Sequence, residues 1–571
     1  MSGLSWSTWS TEPFQRAHAG GKPVLLSIVA GWSAACREMD AEVFAAPAVA
    51  AAVQAHAVPV RVDADLRPDI ADRYGLGGWP TTVWLTPDGE MLSGGTYVDA
   101  ETLIATLGDV ASRFQRDRAA LVQQAGAARA ARRQQQARAA TAAAAAAESK
   151  PMTLDAIRER VLHEFDAEHG GFGQGAQFPT PAPILFALRA GVHAQDADLI
   201  AVAETTLDRM AESALSDPVT GAFHRACAQR DWTDPDPACL LDVQADLITV
   251  YLEAWRLLHH DHYRSRALRA LEFVDRQLRD PERGAFRHFE GGHILTDSNA
   301  RLMRTLVHAS NVLGDTRWIL AAIDIAEHLL PVVYARASGV AHHLRPAAAA
   351  PQRGVPPGID ASPSVGAPPG IDARRGIDVR PGTDAAADAP SDFRPTAAPS
   401  NASAGVDPIG ASGLLSAGAG ASGARARFGT SAAGRDQPMV FGLSGDAILM
   451  AAGLLDLGEA AGQQVYLELA EELMRSCIRR FWEPGSGAFV DRIRTTAGAG
   501  DVGLLGEGLF SFGGNVEGAR MLGRLGGLTQ DAALVSHARD ALRFVGVAAC
   551  REGILSSDYG LLLLELGRNS A

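Results

Sequence analysis

Two sets of residues in this chain have the types and spacing that chemistry needs. The first is a series of polar residues recurring near predicted helix starts: Thr180, Asp242, Asp297 with Asn299, Asp446, Asn515 and Asp558. Carboxylates gathered at one end of a cavity can act as general acid and base on a sugar-like substrate. Asp242 with Asp446 is the pair of choice, expected roughly 5 to 10 Å apart. Thr, Asp and Asn at a helix start also serve as N-caps, a second reading that needs no ligand. His224, Arg225 and Trp232 are further cavity-lining candidates, with satisfied structural roles as the alternative. The second set is Trp32-Ser33-Ala34-Ala35-Cys36, at a predicted helix start, followed later by Trp79-Pro80. None of the cysteines, Cys36, Cys227, Cys239, Cys477 and Cys550, forms a Cys-x-x-Cys pair. Ser33 is expected to N-cap its helix and Cys36 to be a small buried residue. His259-His260-Asp261-His262 is consecutive and lacks the i, i+4 spacing of helical ligands, so neither a metal site nor a cofactor is expected.

The elements that must position the second set lie in residues 1–114. A continuous apolar run at 23–30 (PVLLSIVA) reads as a buried strand. A helix is expected from 34 to 54, a strand at 58–62 ending in Asp63-Ala64-Asp65, and a short helix at 69–74. Residues 81–85 and 90–94 form a hairpin around Pro87-Asp88-Gly89, and an amphipathic helix at 102–114 closes the domain. This order resembles thioredoxin. The resemblance puts Pro80 where that fold carries a cis-proline, and Ser33 where its leading, nucleophilic cysteine stands. Without that thiolate, dithiol–disulfide exchange has no attacking group.

The elements that must position the first set repeat. A phrase recurs as Asp166-Ala-Glu-His-Gly-Gly-Phe172, Asp217-Pro-Val-Thr-Gly-Ala-Phe223, Asp280-Pro-Glu-Arg-Gly-Ala-Phe286 and Glu483-Pro-Gly-Ser-Gly-Ala-Phe489. Weaker copies stand at Ser338-Gly339-Val340 and Glu552-Gly553-Ile554. Successive copies end 51, 63, 54, 149 and 65 residues apart, and the long interval spans an insert at 346–437. Each phrase reads as a helix stop: an acid-led turn, a glycine that tolerates positive φ, and a packing aromatic. Two helices fit each period, so six copies predict an all-α (α/α)6 toroid in two parts, 151–345 and 438–571. The insert repeats PGID-like tetrapeptides, turns Gly/Ala/Ser-rich, and is expected to be disordered. The Ala/Arg/Gln-rich segment 115–150 is expected to be a helical linker.

Composition narrows the partners. There are 52 basic against 66 acidic residues, a net charge of −14, which argues against a nucleic-acid surface. The N-terminus is not a signal peptide and no long apolar run follows, so no membrane association is expected. Scattered thiols in a chain of this length read as reduced and cytoplasmic.

Several stretches resemble the thioredoxin-domain family typified by spermatogenesis-associated protein 20. In the first domain these are Trp9-Ser-Thr-Glu-Pro-Phe14, Lys22-Pro-Val-Leu-Leu-Ser27, Gly78-Trp79-Pro80, Val83-Trp84-Leu85-Thr86-Pro87 and Gly94-Gly95-Thr96-Tyr97. In the helical part they are Gly170-Gly171-Phe172, Gln177-Phe178-Pro179-Thr180 and Gly453-Leu-Leu-Asp-Leu457. The resemblance implies a thioredoxin-like domain followed by a six-hairpin-glycosidase-like toroid. Against the family pattern, Cys-His-x-Cys-His becomes Ser33-Ala34-Ala35-Cys36-Arg37. Likewise His-Phe-Glu-Lys becomes Asp236-Pro237-Ala238-Cys239, and Trp-Asn becomes Ser298-Asn299, while Asp446 and Asn515 match. Three functions fit: a redox-inactive binding or scaffold protein with a protein partner at the thioredoxin-like site, a carbohydrate-active enzyme holding a sugar-like ligand in the toroid, and a single-cysteine thiol oxidoreductase using Cys36. The first is the leading expectation.

Overall fold

The computed structural model describes residues 4–118, 151–344, 440–493 and 501–568, with isolated positions between 120 and 134. The 346–437 insert and most of the 115–150 linker lie outside the described residues. The first domain is a five-stranded sheet in the order β1-β3-β2-β4-β5: Ser7–Thr8, Val24–Val29, Val58–Asp63, Thr81–Leu85 and Met91–Gly95 as β1 to β5. β1, β3 and β2 run parallel; β4 pairs antiparallel with β2, and β5 with β4. The central strand β2 is buried on both faces, with Val24, Leu26 and Ile28 in one apolar layer and Leu25 in the other. That is why its sequence is a run and not an alternation.

Helices α1 (Thr11–Gly20), α2 (Ala34–Met39), α3 (Pro47–His56), α4 (Pro68–Tyr74) and α5 (Ala100–Arg116) flank the sheet. This is the thioredoxin-like order, with α1 and β1 added in front. The single helix expected at 34–54 is instead α2, a π turn at Asp40–Phe44, and α3. Pro47 has no N–H to continue the ladder and takes the first turn of a new helix.

Among the described residues twelve α-helices build the second domain: α6 (Leu154–Glu164), α7 (Pro181–Ala194), α8 (Ala197–Glu212), α9 (Leu241–Leu258), α10 (Asp261–Phe273), α11 (Thr296–Leu313), α12 (Thr316–Val333), α13 (Ser444–Ala461), α14 (Gln464–Phe481), α15 (Phe512–Thr529), α16 (Ala532–Ala548) and α17 (Ser557–Arg568). The inner ring is α7-α9-α11-α13-α15-α17, and α17 returns to pack on α7. The outer helices α8, α10, α12, α14 and α16 each pair with the inner helix before them, and α6 backs α17. The toroid is therefore closed by elements from its two ends. None of the described helices is long and apolar enough to cross a membrane.

The recurring phrase does more than stop a helix. Its flanks pair as a short antiparallel ladder, as in Arg279–Asp280 with Ala285–Phe286 and Trp482–Glu483 with Ala488–Phe489. Its glycine takes positive φ, +79° at Gly221 and +65° at Gly487. There it presses on the next outer helix, where an added Cβ would lie 2.9 Å from Arg269 and 3.0 Å from Asp540. Its aromatic is buried and then fastened by an amide four residues into the following inner helix. Gln244, Asn299 and Asn515 each accept from the backbone N–H, and donate to the carbonyl, of Phe223, Phe286 and Phe489 respectively. Asn299 and Asn515 are thus structural clasps between repeats and not ligand-facing groups.

Below the inner-helix starts, ion pairs fill the toroid axis. Arg189 of α7 bonds Glu253 of α9 at 2.8 Å, Arg304 of α11 bonds Asp456 of α13 at 2.6 Å, and Arg524 of α15 bonds Asp456 at 2.6 Å. Arg520 of α15 meets Glu565 of α17 at 2.7 Å, and Glu565 meets Arg189 at 3.4 Å. The α9–α11 junction is the longest, Arg301 to Asp246 at 3.7 Å, and a Thr249–Thr305 hydroxyl bond supports it. Glu517 bridges Arg304 and Arg520 across the middle. All six neighbouring inner pairs are thereby tied. Removing one partner strands a buried charge, which costs about 3–5 kcal/mol. Glu253→Ala, which leaves Arg189 and Arg256 without their shared carboxylate, is therefore expected to lower the urea unfolding free energy by about that amount.

Candidate functional site

The inner helices α9, α11, α13 and α15 begin at the end of the toroid that carries the thioredoxin-like domain, and the two domains interlock there. Residues 501–507, ahead of α15, reach under the first sheet, and Leu505 is fully buried among Trp9, Phe14, Val60 and Val83. Arg73 of α4 forms a bidentate pair with Asp491, 2.7 and 3.1 Å, and donates to the carbonyls of Leu504 and Glu507. Tyr74 donates to the Gly89 carbonyl and accepts from the Leu504 N–H. Gly503 approaches Gly89 so closely that a Cβ there would stand 2.3 Å from the Gly89 oxygen.

The thioredoxin-like site faces this junction. Trp32 lies under the Arg225 guanidinium, 4.9 Å from the ring centre, and donates from Nε1 to Asp65 at 3.2 Å. A Cβ on Gly31 would meet the Phe289 ring at 3.0 Å. Ser33 accepts from the Cys36 N–H at 3.3 Å as an N-cap. Cys36 is buried, and that burial pushes its thiol up, outweighing the hydrogen bonds from Ser33 and the Ala30 N–H. The Trp79–Pro80 bond is cis. The face offered in the sequence reading to a separate partner is here apposed to the chain's own toroid.

Between the domains is a cavity of about 160 Å³. Pro68, Asp69 and Asp72 line it from the first domain; Asp297, Arg301, His342, Asp446, Asp491 and Glu517 line it from the toroid. At its wall Asp446 Oδ1 sits 2.9 Å from His342 Nδ1, and His342 Nε2 sits 2.8 Å from the carbonyl oxygen of Asp65. Both ring nitrogens thus face oxygen acceptors, which a doubly protonated imidazolium satisfies. Burial alone would depress this histidine, but the charge and hydrogen bond of Asp446, with Asp297 nearby, lift it to about 10. One carboxylate oxygen of each Asp297 and Asp446 and one nitrogen of His342 fall within 4.8 Å of one another, a donor set of the size a metal ion needs. In this arrangement His342 Nδ1 is occupied by Asp446 and Nε2 by the Asp65 carbonyl.

Two cavity carboxylates differ in basicity. Desolvation is the largest effect on each. At Asp72, whose side chain is itself exposed at the cavity rim, the protein around it and the repulsion of Asp491 push the carboxyl up, towards about 6. At Asp297 the charges of His342, Arg301 and His288 overcome burial and hold it below the usual range. Asp446 Oδ2 and Arg301 Nη1 are buried without a hydrogen-bond partner.

Several sequence candidates fall elsewhere. Asp242 does not line this cavity; its carboxylate accepts from the Val243 N–H and faces Asp65 and Asp246. It therefore does not share this wall with Asp446. The N-cap reading fails for Asp242, Asp297, Asp446 and Asn515, because Leu240, Leu295, Leu443 and Ser511 hold the cap positions. Trp232 is core, its indole donating to the His169 carbonyl and packing on Gly171. His224 is 3.7 Å from Cys239 Sγ, and Arg225 bridges Trp32, Phe178 and Asp236. His342, Arg301 and Asp72 escaped the sequence reading. Each comes from a different element, and no local spacing joins them.

Comparison with known proteins bears first on the N-terminal domain. Residues 2–132 match the family model Thioredox_DsbH, described as a protein of unknown function, DUF255. Human spermatogenesis-associated protein 20 is 26% identical over 304 residues, covering 48% of this chain and 37% of that protein. Uncharacterized protein B0495.5 of Caenorhabditis elegans is 27% identical over 279 residues, covering 45% and 37%. These matches thus span little more than a third of the relatives' length. Thiol:disulfide interchange protein DsbD 2 of Pseudomonas aeruginosa is 38% identical over 77 residues, 13% of each chain. Among solved structures, a D-mannose isomerase covers 68% of this chain and 85% of its own at 11% identity and TM-score 0.45. A cellobiose 2-epimerase from Bacillus thermoamylovorans covers 69% and 87% at 8% identity and TM-score 0.45. Likeness of that degree says nothing of what this chain acts on.

Two outcomes test this geometry. In the native protein Cys36 is expected to resist iodoacetamide while exposed Cys550 is alkylated first, as read by peptide mass mapping. His342, raised when folded, contributes stability that is fully present below its ordinary 6.5 and is lost as pH climbs through about 10. The difference in unfolding free energy between wild type and His342→Gln should therefore be largest below pH 6.5 and shrink towards pH 10.

Proposed function

We propose that this protein binds a small polyhydroxylated ligand in the cavity between its domains, with the thioredoxin-like domain acting as a fixed, redox-inactive cap. The observation carrying this reading is the cavity wall. It is supplied by both domains, has a volume of about 160 Å³, and includes Asp446 Oδ2 and Arg301 Nη1, buried polar atoms without a hydrogen-bond partner, Arg301 Nη1 reaching only Asp246 at 3.7 Å. Unsatisfied buried groups cost about 1–3 kcal/mol each, which a ligand hydroxyl donating to one and accepting from the other would recover. That volume lies below the range of about 300–1,000 Å³ of sites that bury a drug-sized ligand, so it suits a small one. Burial of Cys36 and the serine at position 33 speak against the thiol oxidoreductase reading.

Acid–base turnover of the same ligand is the second reading, and one observation favours it. Asp72 and Asp297 line one cavity with their proton affinities pushed in opposite directions, the pattern by which one carboxyl gives a proton while the other takes it.

A thermal-shift and calorimetric screen of monosaccharides and polyols against the full chain tests the binding. A true ligand at a hundredfold its Kd adds about 2.7 kcal/mol of stability, and Asp446→Asn should weaken it by about tenfold or more. A flat screen would remove the reading. Turnover would appear as deuterium uptake from heavy water at a sugar carbon, lost in Asp297→Asn while binding persists.

A further inference from the structure

Asp297, His342 and Asp446 converge on one spot of the cavity wall. One carboxylate oxygen of each aspartate and one ring nitrogen of His342 lie within 4.8 Å of one another. His342 Nδ1 stands 2.9 Å from Asp446 Oδ1. Two donors in neighbouring positions, each about 2.1 Å from a shared ion, stand about 3 Å apart. His342 is 3% exposed and Asp446 2%, and Asp446 Oδ2 has no hydrogen-bond partner. The contacts behind these donors are those that hold ligating side chains in place. His342 Nε2 donates to the Asp65 carbonyl at 2.8 Å, which leaves Nδ1 toward Asp446, and Asp297 Oδ1 accepts from the Ser298 N–H at 2.7 Å. A ligating imidazole almost always gives its second N–H to a carbonyl or carboxylate, which fixes its tautomer, and ligating carboxylates are hydrogen-bonded in turn.

We propose that Asp297, His342 and Asp446 bind one divalent first-row transition-metal ion, of the Zn²⁺ or Mn²⁺ kind, at the wall of the cavity they line. An imidazole with two carboxylates is a nitrogen-and-oxygen donor set that suits such ions, whereas Mg²⁺ and Ca²⁺ favour oxygen alone. A dication balances two carboxylates and a neutral imidazole, and Arg301, the other cation of the wall, faces Asp246 at 3.7 Å. The ion takes the place of the Nδ1 proton, so the imidazolium–aspartate pair is the metal-free state of the same residues. Its ligands come from the first turn of α11, the segment between α12 and the insert, and the first turn of α13, while Asp65 of the other domain orients the imidazole. This site does not depend on the small-ligand reading, because the ion needs no sugar to bind.

Equilibrium dialysis of the full chain, stripped with EDTA, against zinc, manganese, magnesium or calcium chloride alone tests this, with bound metal counted by mass spectrometry. One Zn²⁺ or Mn²⁺ per chain is expected, held about tenfold or more tightly than Mg²⁺ or Ca²⁺. Asp446→Asn and His342→Gln should each weaken it by about tenfold or more. The double change His260→Gln with His262→Gln, which removes exposed histidines at the far end of α9, should leave it unaltered. Crystals of the wild-type chain grown with either ion locate it without any variant, and an anomalous peak is expected between Asp297, His342 and Asp446. No stoichiometric uptake, or a peak only at other residues, would overturn the metal site and leave the small-ligand reading standing. A peak at these three residues beside a flat sugar screen would keep the metal site and remove the small-ligand reading.

Discussion

Charge on the axis of an apolar helical ring can persist only if every group has a partner, and that requirement organises the second domain. Arg189, Glu253, Arg304, Asp456, Arg520, Arg524 and Glu565 lie nine to thirteen residues into the inner helices, and each reaches the helix beside it. Moving one helix by a turn, about 5.4 Å, would break its pairs on both sides. The circuit thus sets the relative heights of the six inner helices and, through them, where their first turns stand. Close packing serves the same end: a Cβ on Gly453 would lie 3.2 Å from the Ala300 carbonyl, so α13 can approach α11 and deliver Asp456 to Arg304.

The cavity lies beyond these ion pairs, beside the first turns of the inner helices, where Asp297 and Asp446 stand. The thioredoxin-like domain covers that end with the loop after β3 and the start of α4. It is anchored by Arg73 on Asp491, by Leu505 inserted into its own core, and by Asp65 accepting from His342. The fold's redox end is thereby turned inward. A serine in place of the leading cysteine removes the nucleophile, and Trp32 becomes a packing surface for Arg225. What the domain contributes to the cavity is carboxylate and carbonyl chemistry, not thiol chemistry.

The phrase glycines and aromatics, the β2 apolar run, the Pro87-Asp88-Gly89 turn and the serine at position 33 act through local backbone geometry or through groups they lack. Those were legible one segment at a time. Asn299 and Asn515 were visible as recurrent, but their task was not. An amide clasping a phenylalanine backbone thirteen or twenty-six residues earlier depends on how two repeats stack.

The sequence by itself determined the fold class, the closed sixfold period and the absence of a thiol pair, because periodicity and turn chemistry are properties of neighbouring residues. Tertiary structure alone decided which acids share a cavity. It separated Asp242 from Asp446, joined Asp446 to His342 across 104 positions, and brought Asp72 of one domain and Asp297 of the other to the lining of one cavity. Proton affinity and ligand recognition depend on burial and on charges a few ångströms away, and both are assembled only when the domains close on one another.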